Sequence, residues 1–141
     1  MIVDEAFANS ILDSLAGPGK ASGLPSTMYV ALYDGDPTDT GAEVTGGGYA
    51  RLGPVSMTSG TMWPSASGRQ KANGSQIVGT AMSGALAVEA TWAIFVDTAS
   101  GAVGVHAYAQ QLPQSFPGAG GQTPLLDVGD VVIGLSDIGG V

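Results

Sequence analysis

Turn-forming residues interrupt the apolar pattern of this chain about every ten residues beyond Gly23, and this spacing limits the fold more than any other feature. Between the interruptions lie short runs of β-branched and aromatic residues, of which TMYVALY at Thr27–Tyr33 is the clearest. Several short strands at regular spacing are typical of a β-sandwich or a β-barrel. The sequence therefore predicts an all-β fold over most of its length.

Further runs predict further strands. The run at 49–57 contains Pro54, and because proline cannot donate a ladder hydrogen bond, this predicts an edge strand or a bulge. LAVEATWAIFVDT at 86–98 and GAVGVHAYAQQL at 101–112 predict an antiparallel hairpin around the turn at 98–101. The remaining predicted strand regions are SQIVGTAM at 75–82 and LLDVGDVVIGLSDI at 125–138.

One helix is predicted, at residues 4–16, and it ends before Gly17 and Pro18. Its large apolar residues recur at spacings of three and four and are predicted to share one face: Phe7, Ile11, Leu12 and Leu15. A short amphipathic helix before a β domain either packs across a sheet edge or docks on a neighbouring subunit. Both arrangements require the same apolar face.

Charge and residue type exclude several functions. The 141-residue chain has twelve acidic and four basic residues, a net charge of −8, no cysteine and a single histidine, His106. Binding to phosphate backbones depends on Lys and Arg, so a nucleic-acid partner is not expected. Thiolate zinc sites and two-histidine metal motifs are excluded, and no run reaches the roughly 18 apolar residues of a membrane span. The sequence predicts a non-enzymatic protein without a cofactor or a membrane partner.

An acidic loop follows the first strand, and a metal site, a catalytic carboxylate pair or a purely structural loop would each explain it. Its carboxylates are Asp34, Asp36, Asp39 and Glu43. The spacing resembles a calcium loop, but Pro37 interrupts it and the preceding residues predict a strand where a calcium loop has a helix. Short acidic side chains also accept hydrogen bonds from nearby backbone, so successive turns need no ion. We predict a structural loop, with a weak cation site as the alternative.

Three glycines, at 46–48, lead from this loop to Tyr49 and Arg51. A phosphate loop would need a following helix and usually a lysine, and neither is predicted here. Glycines instead permit positive φ angles, after which Tyr49 and Arg51 share one face of an extended chain. Arg51 is predicted to be the charge partner of Asp34 or Asp36, with ligand binding as the alternative.

The two tryptophans predict different environments. Trp92 lies in a strand with neighbours typical of a core, whereas Trp63 lies in the polar stretch at 58–75. Trp63 is therefore the candidate for contact with a partner, with local packing, a loop anchor and carbohydrate stacking as alternatives.

YVALYDGDPTDTGAEVTGGGYAR at 29–51 resembles the N-terminal signature of a family of small bacteriophage virion proteins, described as tail-fibre-like, minor tail or head decoration proteins. In that family a strand enters a D-P-x-D-T-G loop and then E-V-x-G-x-x-Y-A-R. Asn73, TWAIFVDTASGAVGVHAYA at 91–109 and DVGDVVI at 127–133 are similar in type and order, so the likeness covers 24–138. The resemblance implies a compact β-sandwich used as a virion building block, and no catalytic residue.

The predicted fold is a single-domain, antiparallel all-β sandwich with one short N-terminal helix: residues 1–23 form helix and linker, and 24–141 the β-sandwich domain. The predicted function is a phage virion structural protein, primarily a capsid decoration or minor capsid protein on the head. A fibre usually needs a coiled-coil or collagen-like extension, which the chain does not predict. The alternatives are a tail-tip or tail-fibre-associated module and a carbohydrate-binding module using Trp63 and the acidic loop.

The predicted partners follow from this function. They are the major capsid protein or tail proteins of the same virion, together with further copies of the chain in a homo-oligomer. The predicted location is the virion, assembled in the host bacterial cytoplasm.

Overall fold

The computed structural model describes residues 4–135, so the predicted strand region at 125–138 ends outside the described residues. The chain is mostly sheet, with antiparallel strand pairs and one short helix, which confirms the predicted all-β class. The elements are α1 Glu5–Leu15, β1 Thr27–Tyr33, β2 Leu52–Ser56, β3 Gln70–Ala72, β4 Ile77–Val78, β5 Ala90–Val96, β6 His106–Phe116, β7 Leu125–Leu126 and β8 Val132–Gly134.

The chain forms two compact units. Within the described residues, the first unit comprises 4–26, 56–76 and 127–135, and the second comprises 27–55 and 77–126. The first contains α1 and the pair β3–β8, and the second contains the sheet β2-β1-β5-β6 and the pair β4–β7. The predicted division of the chain after residue 23 stays a prediction.

Helix α1 of the first unit begins after Asp4, whose side chain accepts a hydrogen bond from the backbone N–H of Ala6 at 3.2 Å. The carboxylate satisfies one of the backbone donors that a helix leaves unpaired at its first turn. Ala8 and Leu12 are buried, whereas Phe7 is 62% exposed. Phe7 therefore does not pack against the described chain, and docking of this apolar face on a neighbouring subunit stays a prediction.

Polar anchors set the rotation of α1. Asn9 accepts a hydrogen bond from the backbone N–H of Arg69 at 3.0 Å, and Asp13 accepts one from the N–H of Ala66 at 2.8 Å. Both polar side chains follow the buried residues Ala8 and Leu12 by one position, so they turn the docked face away from Phe7. Apolar spacing alone could not reveal these anchors.

Lys71 of β3 is buried beneath α1. Its Nζ lies 2.7 Å from Oδ1 of Asp13 and donates to the carbonyl oxygen of Pro64 at 2.8 Å. The hydrogen bonds from Lys71 and Ala66, with the charge of Lys71, hold the pKa of Asp13 below its ordinary value against the opposing effect of burial. A buried cation needs such partners, and here they join the helix to β3.

In the second unit, β1 has the predicted bounds and pairs with β5 from Tyr29↔Val96 to Tyr33↔Trp92. Ala31, Ile94 and Val96 form a core cluster on this pair. The predicted strand region began at residue 86, but Val88 lies outside β5 and is 55% exposed. The strand begins later because the backbone N–H groups of 86 and 87 donate to loop carbonyls instead.

The predicted hairpin is present, since β5 pairs antiparallel with β6. The connection is longer than the predicted four-residue turn, because pairing ends at Val96↔His106. Strand β6 is an edge strand of the sheet, and it continues through Pro113 with two register shifts against β5. An edge strand and a bulge both tolerate proline. The predicted edge strand at Pro54 is likewise β2, at the opposite edge.

Asn73 joins β3 to the turn before β8 in the first unit. It is 1% exposed, and its amide donates to the carbonyl oxygens of Ser75 at 2.9 Å and Asp127 at 2.8 Å. Its Oδ1 accepts from the N–H of Val131 at 2.9 Å, so the side chain holds three backbone groups. Buried polar groups are costly when such partners are lost.

We expect Asn73→Ala to lower the free energy of unfolding by about 2–4 kcal/mol, because three hydrogen bonds vanish and a buried N–H loses its acceptor. Gln76→Ala is the matched control, since Gln76 also bonds to Asp127, at 3.1 Å, but is exposed. We expect this variant to stay within about 0.5 kcal/mol of wild type. Urea unfolding of both variants measures the difference, and equal stabilities would contradict the assigned role of Asn73.

Candidate functional site

Asp34 closes the base of the acidic loop, directly after β1. Its backbone N–H donates to the carbonyl oxygen of Ala42 at 3.0 Å, and its Oδ1 accepts from the N–H of Ala42 at 2.7 Å. The hydroxyl of Thr91 donates to the carbonyl oxygen of Asp34 at 3.1 Å. The side chain thus extends the pairing of the two loop ends by one hydrogen bond.

Asp36 forms the turn at the tip of the loop. Its Oδ1 accepts from the N–H and the hydroxyl of Thr38, at 2.8 and 2.6 Å. These bonds hold the pKa of Asp36 below its ordinary value. Its carbonyl oxygen accepts from the N–H groups of Asp39 and Gly41, and a Cβ at Gly41 would collide with the carbonyl of Gly35. Asp39 is exposed, and only its backbone contributes to the turn.

Glu43 is the carboxylate that binds Arg51. The Nε of Arg51 lies 2.8 Å from Oε1 of Glu43, and its Nη2 lies 2.8 Å from Oε2, which is a two-pronged ion pair. The side chain of Arg51 is only 6% exposed and that of Glu43 27%. The predicted partners Asp34 and Asp36 are therefore corrected to Glu43, because the two earlier carboxylates are engaged by the backbone of their own loop.

Tyr49 completes this cluster. Its hydroxyl accepts from the N–H of Leu32 at 2.9 Å and donates to Oε1 of Glu43 at 3.0 Å. Burial, and the neighbouring charge of Glu43, raise the pKa of Tyr49 far above its ordinary value. Burial also raises the pKa of Glu43, but the bonds from Arg51 and Tyr49 outweigh it, so the pKa of Glu43 is lowered overall. Glu43 is thus held as a charged acceptor.

The guanidinium of Arg51 uses its remaining donors on the connection between β5 and β6. Its Nη1 donates to the carbonyl oxygen and the hydroxyl of Thr98 at 3.0 and 2.8 Å, and its Nη2 donates to the carbonyl oxygen of Gly101 at 2.9 Å. With the two bonds to Glu43, all five guanidinium N–H groups have an acceptor. An open groove of about 310 Å³ lies beside the cluster, but Arg51 has no donor left for a ligand there.

The three glycines have positive φ angles of 95°, 60° and 75°, as predicted. The carbonyl oxygen of Gly47 accepts from the N–H groups of Ser83 and Gly84, at 2.8 and 3.3 Å. A Cβ at Gly47 would collide with the carbonyl of Gly84. The glycines therefore allow the loop to pack closely against the backbone at 83–84.

The carboxylates do not converge on a point where an ion could bind. Among residues 4–135 there is no group of three or more His, Cys, Asp and Glu side chains that could hold a metal. His106, the first residue of β6, is exposed. No helix in the described part of the chain is long and apolar enough to cross a membrane.

Trp63 lies away from any surface. It is 0% exposed, its indole N–H donates to the carbonyl oxygen of Ser56 at 3.0 Å, and its backbone N–H donates to that of Ser59 at 2.9 Å. The predicted partner contact is therefore corrected to a core residue of the first unit. The burial agrees with local packing, which the sequence analysis gave as an alternative.

This all-β chain has few charged residues, and three carboxylates of its acidic loop are bound by neighbouring groups of the same chain, which is typical of a structural module. A family model described as Podophage GP4 fiber I protein gp80 matches residues 3–134. The chain belongs to this family, and it is a phage virion structural protein. Among curated proteins, none matches the sequence significantly. The match supports the predicted kind of family, whereas the role of the segment at 29–51 as its signature stays a prediction.

We expect Glu43→Gln to destabilise the protein by about 1–2 kcal/mol at pH 7, because a charged two-pronged acceptor is lost from a partly solvent-screened site. The folded pKa of Glu43 lies below its unfolded value of about 4.3, so its contribution is present above that pH. It is lost as the pH falls through the folded pKa. The difference in the free energy of unfolding between Glu43→Gln and wild type should therefore become smaller as the pH is lowered.

Urea unfolding at a series of pH values from neutral downward measures this narrowing. Asp39→Asn is the control, because this substitution removes one negative charge from the same loop at an exposed position. A constant difference between Glu43→Gln and wild type across the series would contradict the role given to the Glu43 charge.

We expect calcium at about 1 mM, the range of weak extracellular sites, to leave the melting temperature of the protein unchanged relative to EDTA. The reason is that Asp34 and Asp36 direct their oxygens at backbone N–H groups of the loop. Differential scanning calorimetry with both additions tests this. A rise in melting temperature with calcium that Asp36→Ala abolishes would establish the cation alternative.

Proposed function

We propose that this chain is a non-enzymatic structural module associated with a phage tail fibre. The observation that carries the proposal is the family match over residues 3–134, whose description names a fibre protein. It favours the tail-fibre alternative over the head decoration that the sequence analysis placed first. The earlier argument, that a fibre needs a coiled-coil or collagen-like extension, applies to the shaft of a fibre and not to a compact module joined to it.

The described carboxylates support a structural role. A catalytic acid or base must have a proton-transfer atom directed at a substrate position. Asp34 and Asp36 instead accept from their own loop, and Glu43 is bound by Arg51 and Tyr49. The acidic loop is therefore proposed as a rigid support that joins β1 to the connection between β5 and β6.

The proposed partners are tail proteins of the same virion and further copies of this chain, with no nucleic acid and no membrane. A virion presents each subunit in several copies, so weak contacts act together and give high avidity. The net charge of −8 supports the exclusion of a phosphate-backbone partner. Assembly in the host cytoplasm is part of the same proposal.

The carbohydrate-binding alternative loses its main support. It required the ring of Trp63 as a stacking surface, and this ring is buried. A Trp63→Ala variant would therefore measure stability and not sugar recognition, since removing a buried tryptophan leaves a cavity.

Immunogold labelling of intact virions with antibodies against this chain tests the proposal. We expect gold on the fibres or at the tail, and none on the heads. Antibodies against the major capsid protein provide the matched control, because they must label heads in the same preparation. Labelling by the first antibody over the head surface would overturn the fibre proposal and restore the decoration alternative.

A further inference from the structure

Three of the four basic side chains are committed inside the chain. Lys20 donates to two backbone carbonyl oxygens at 2.7 and 2.6 Å, Lys71 binds Asp13, and Arg51 has an acceptor for each of its donors. The guanidinium of Arg69 makes no hydrogen bond or ion pair with residues 4–135, and its Nη1 is shielded from solvent as well. Arg69 is thus the base whose charge the described chain leaves unused.

The backbone of Arg69 lies in the left-handed region, with φ at 64°, which non-glycine residues seldom adopt. Two contacts hold it there: its N–H donates to Asn9 at 3.0 Å, and its carbonyl oxygen accepts from the N–H of Leu135 at 3.1 Å. Glycine or asparagine would suit this conformation better than arginine. The backbone therefore does not explain why an arginine stands here.

A groove of about 390 Å³ lies at Arg69 in the first unit, and none of its lining residues within 4–135 is acidic: Gly68, Arg69, Gln70, Gly134 and Leu135. A Cβ added at Gly68 would meet only open space. A carboxylate could therefore approach the guanidinium without meeting a bulky side chain or a like charge from the lining.

We propose that Arg69 is the docking point for a carboxylate of a second copy of this chain. Two copies with a net charge of −8 each repel one another. The guanidinium of Arg69, unpaired among residues 4–135, is a positive group that can attract a carboxylate of the second copy. Each copy offers exposed carboxylates, such as those of Asp39 and Glu89, that make no side-chain hydrogen bond to the described residues. Arginine and carboxylate form two parallel hydrogen bonds, which fix orientation as well as position.

The state of Arg69 in the single chain also favours this docking. A shielded donor without an acceptor is costly, so the placement of Nη1 in the single chain is unfavourable. An arriving carboxylate would supply the acceptor that this guanidinium lacks among residues 4–135. The inference rests on the proposed self-association of the chain and names the residue that mediates it, whereas it does not depend on the proposed place of the chain in a fibre.

Sedimentation velocity of the full chain at low salt, over a series of concentrations, tests the proposal. We expect wild type to self-associate, and added sodium chloride to weaken the association. Arg69→Asn keeps a residue that tolerates the left-handed backbone, and we expect it to weaken association at least about tenfold. Arg69→Lys should fall between the two, because a lysine keeps the charge but lacks the two-pronged geometry.

Lys20→Ala is the matched control, since it changes the net charge by the same unit at a base that already has partners. We expect it to associate as wild type does. A monomeric wild type, wild-type association in Arg69→Asn, or equal weakening in Arg69→Asn and Lys20→Ala would each overturn the proposal. Melting temperatures check folding, and Arg69→Gly replaces Arg69→Asn if the latter unfolds.

An acceptor within the same chain is a further outcome that would overturn the proposal. Asp137 lies outside the described residues but follows Leu135 by only two positions. A double-mutant cycle of Arg69→Asn and Asp137→Asn on the stability of the monomer would detect such pairing. Each of these results leaves the labelling of fibres unaffected, so the two proposals fail separately.

Discussion

Scarcity of positive charge is the constraint that organises the described structure. Four basic residues serve twelve acidic ones, and most of the bases lie where separate segments meet. Arg51 joins the acidic loop to the connection between β5 and β6, and Lys71 joins helix α1 to β3. Both side chains are almost fully buried. Because charge interactions strengthen away from water, two buried cations can hold several segments of the described chain together.

The acidic loop shows how the same residue types serve different ends. A metal site needs carboxylate oxygens that converge on one point, whereas here Asp34 and Asp36 turn toward N–H groups of their own loop. Glu43 differs from both because it points to Arg51 and Tyr49, in the cluster beside β1. A rigid, internally bonded loop of this kind suits a virion module whose shape is its function.

Elements whose structure depends on neighbouring residues could be predicted from the local sequence. The bounds of β1, the edge position of β2 with Pro54, and the β5–β6 hairpin follow from alternation, proline chemistry and short connections. Strand β3 was missed within the polar stretch at 58–75, because it has three residues and pairs with β8 about sixty positions away. Non-local pairing of so short a strand leaves no periodic signal.

The candidate site divides in the same way. Asp34, Asp36, Asp39, Glu43 and Arg51 were singled out because they lie within one short segment, and their assignment to one structural site stays a prediction. The pairing of Arg51 with Glu43 could not be predicted, because it depends on Thr98 and Gly101, which come close only after β1 and β5 have paired.

By itself, the sequence determined the all-β class, the turn-rich acidic loop and the left-handed glycines, because backbone preferences and side-chain alternation act over a few residues. Only the tertiary structure decided that Trp63 is buried, that Phe7 is exposed and that Lys71 binds Asp13. The physical reason is that burial and charge pairing depend on which distant segments cover a side chain, and no local pattern encodes that.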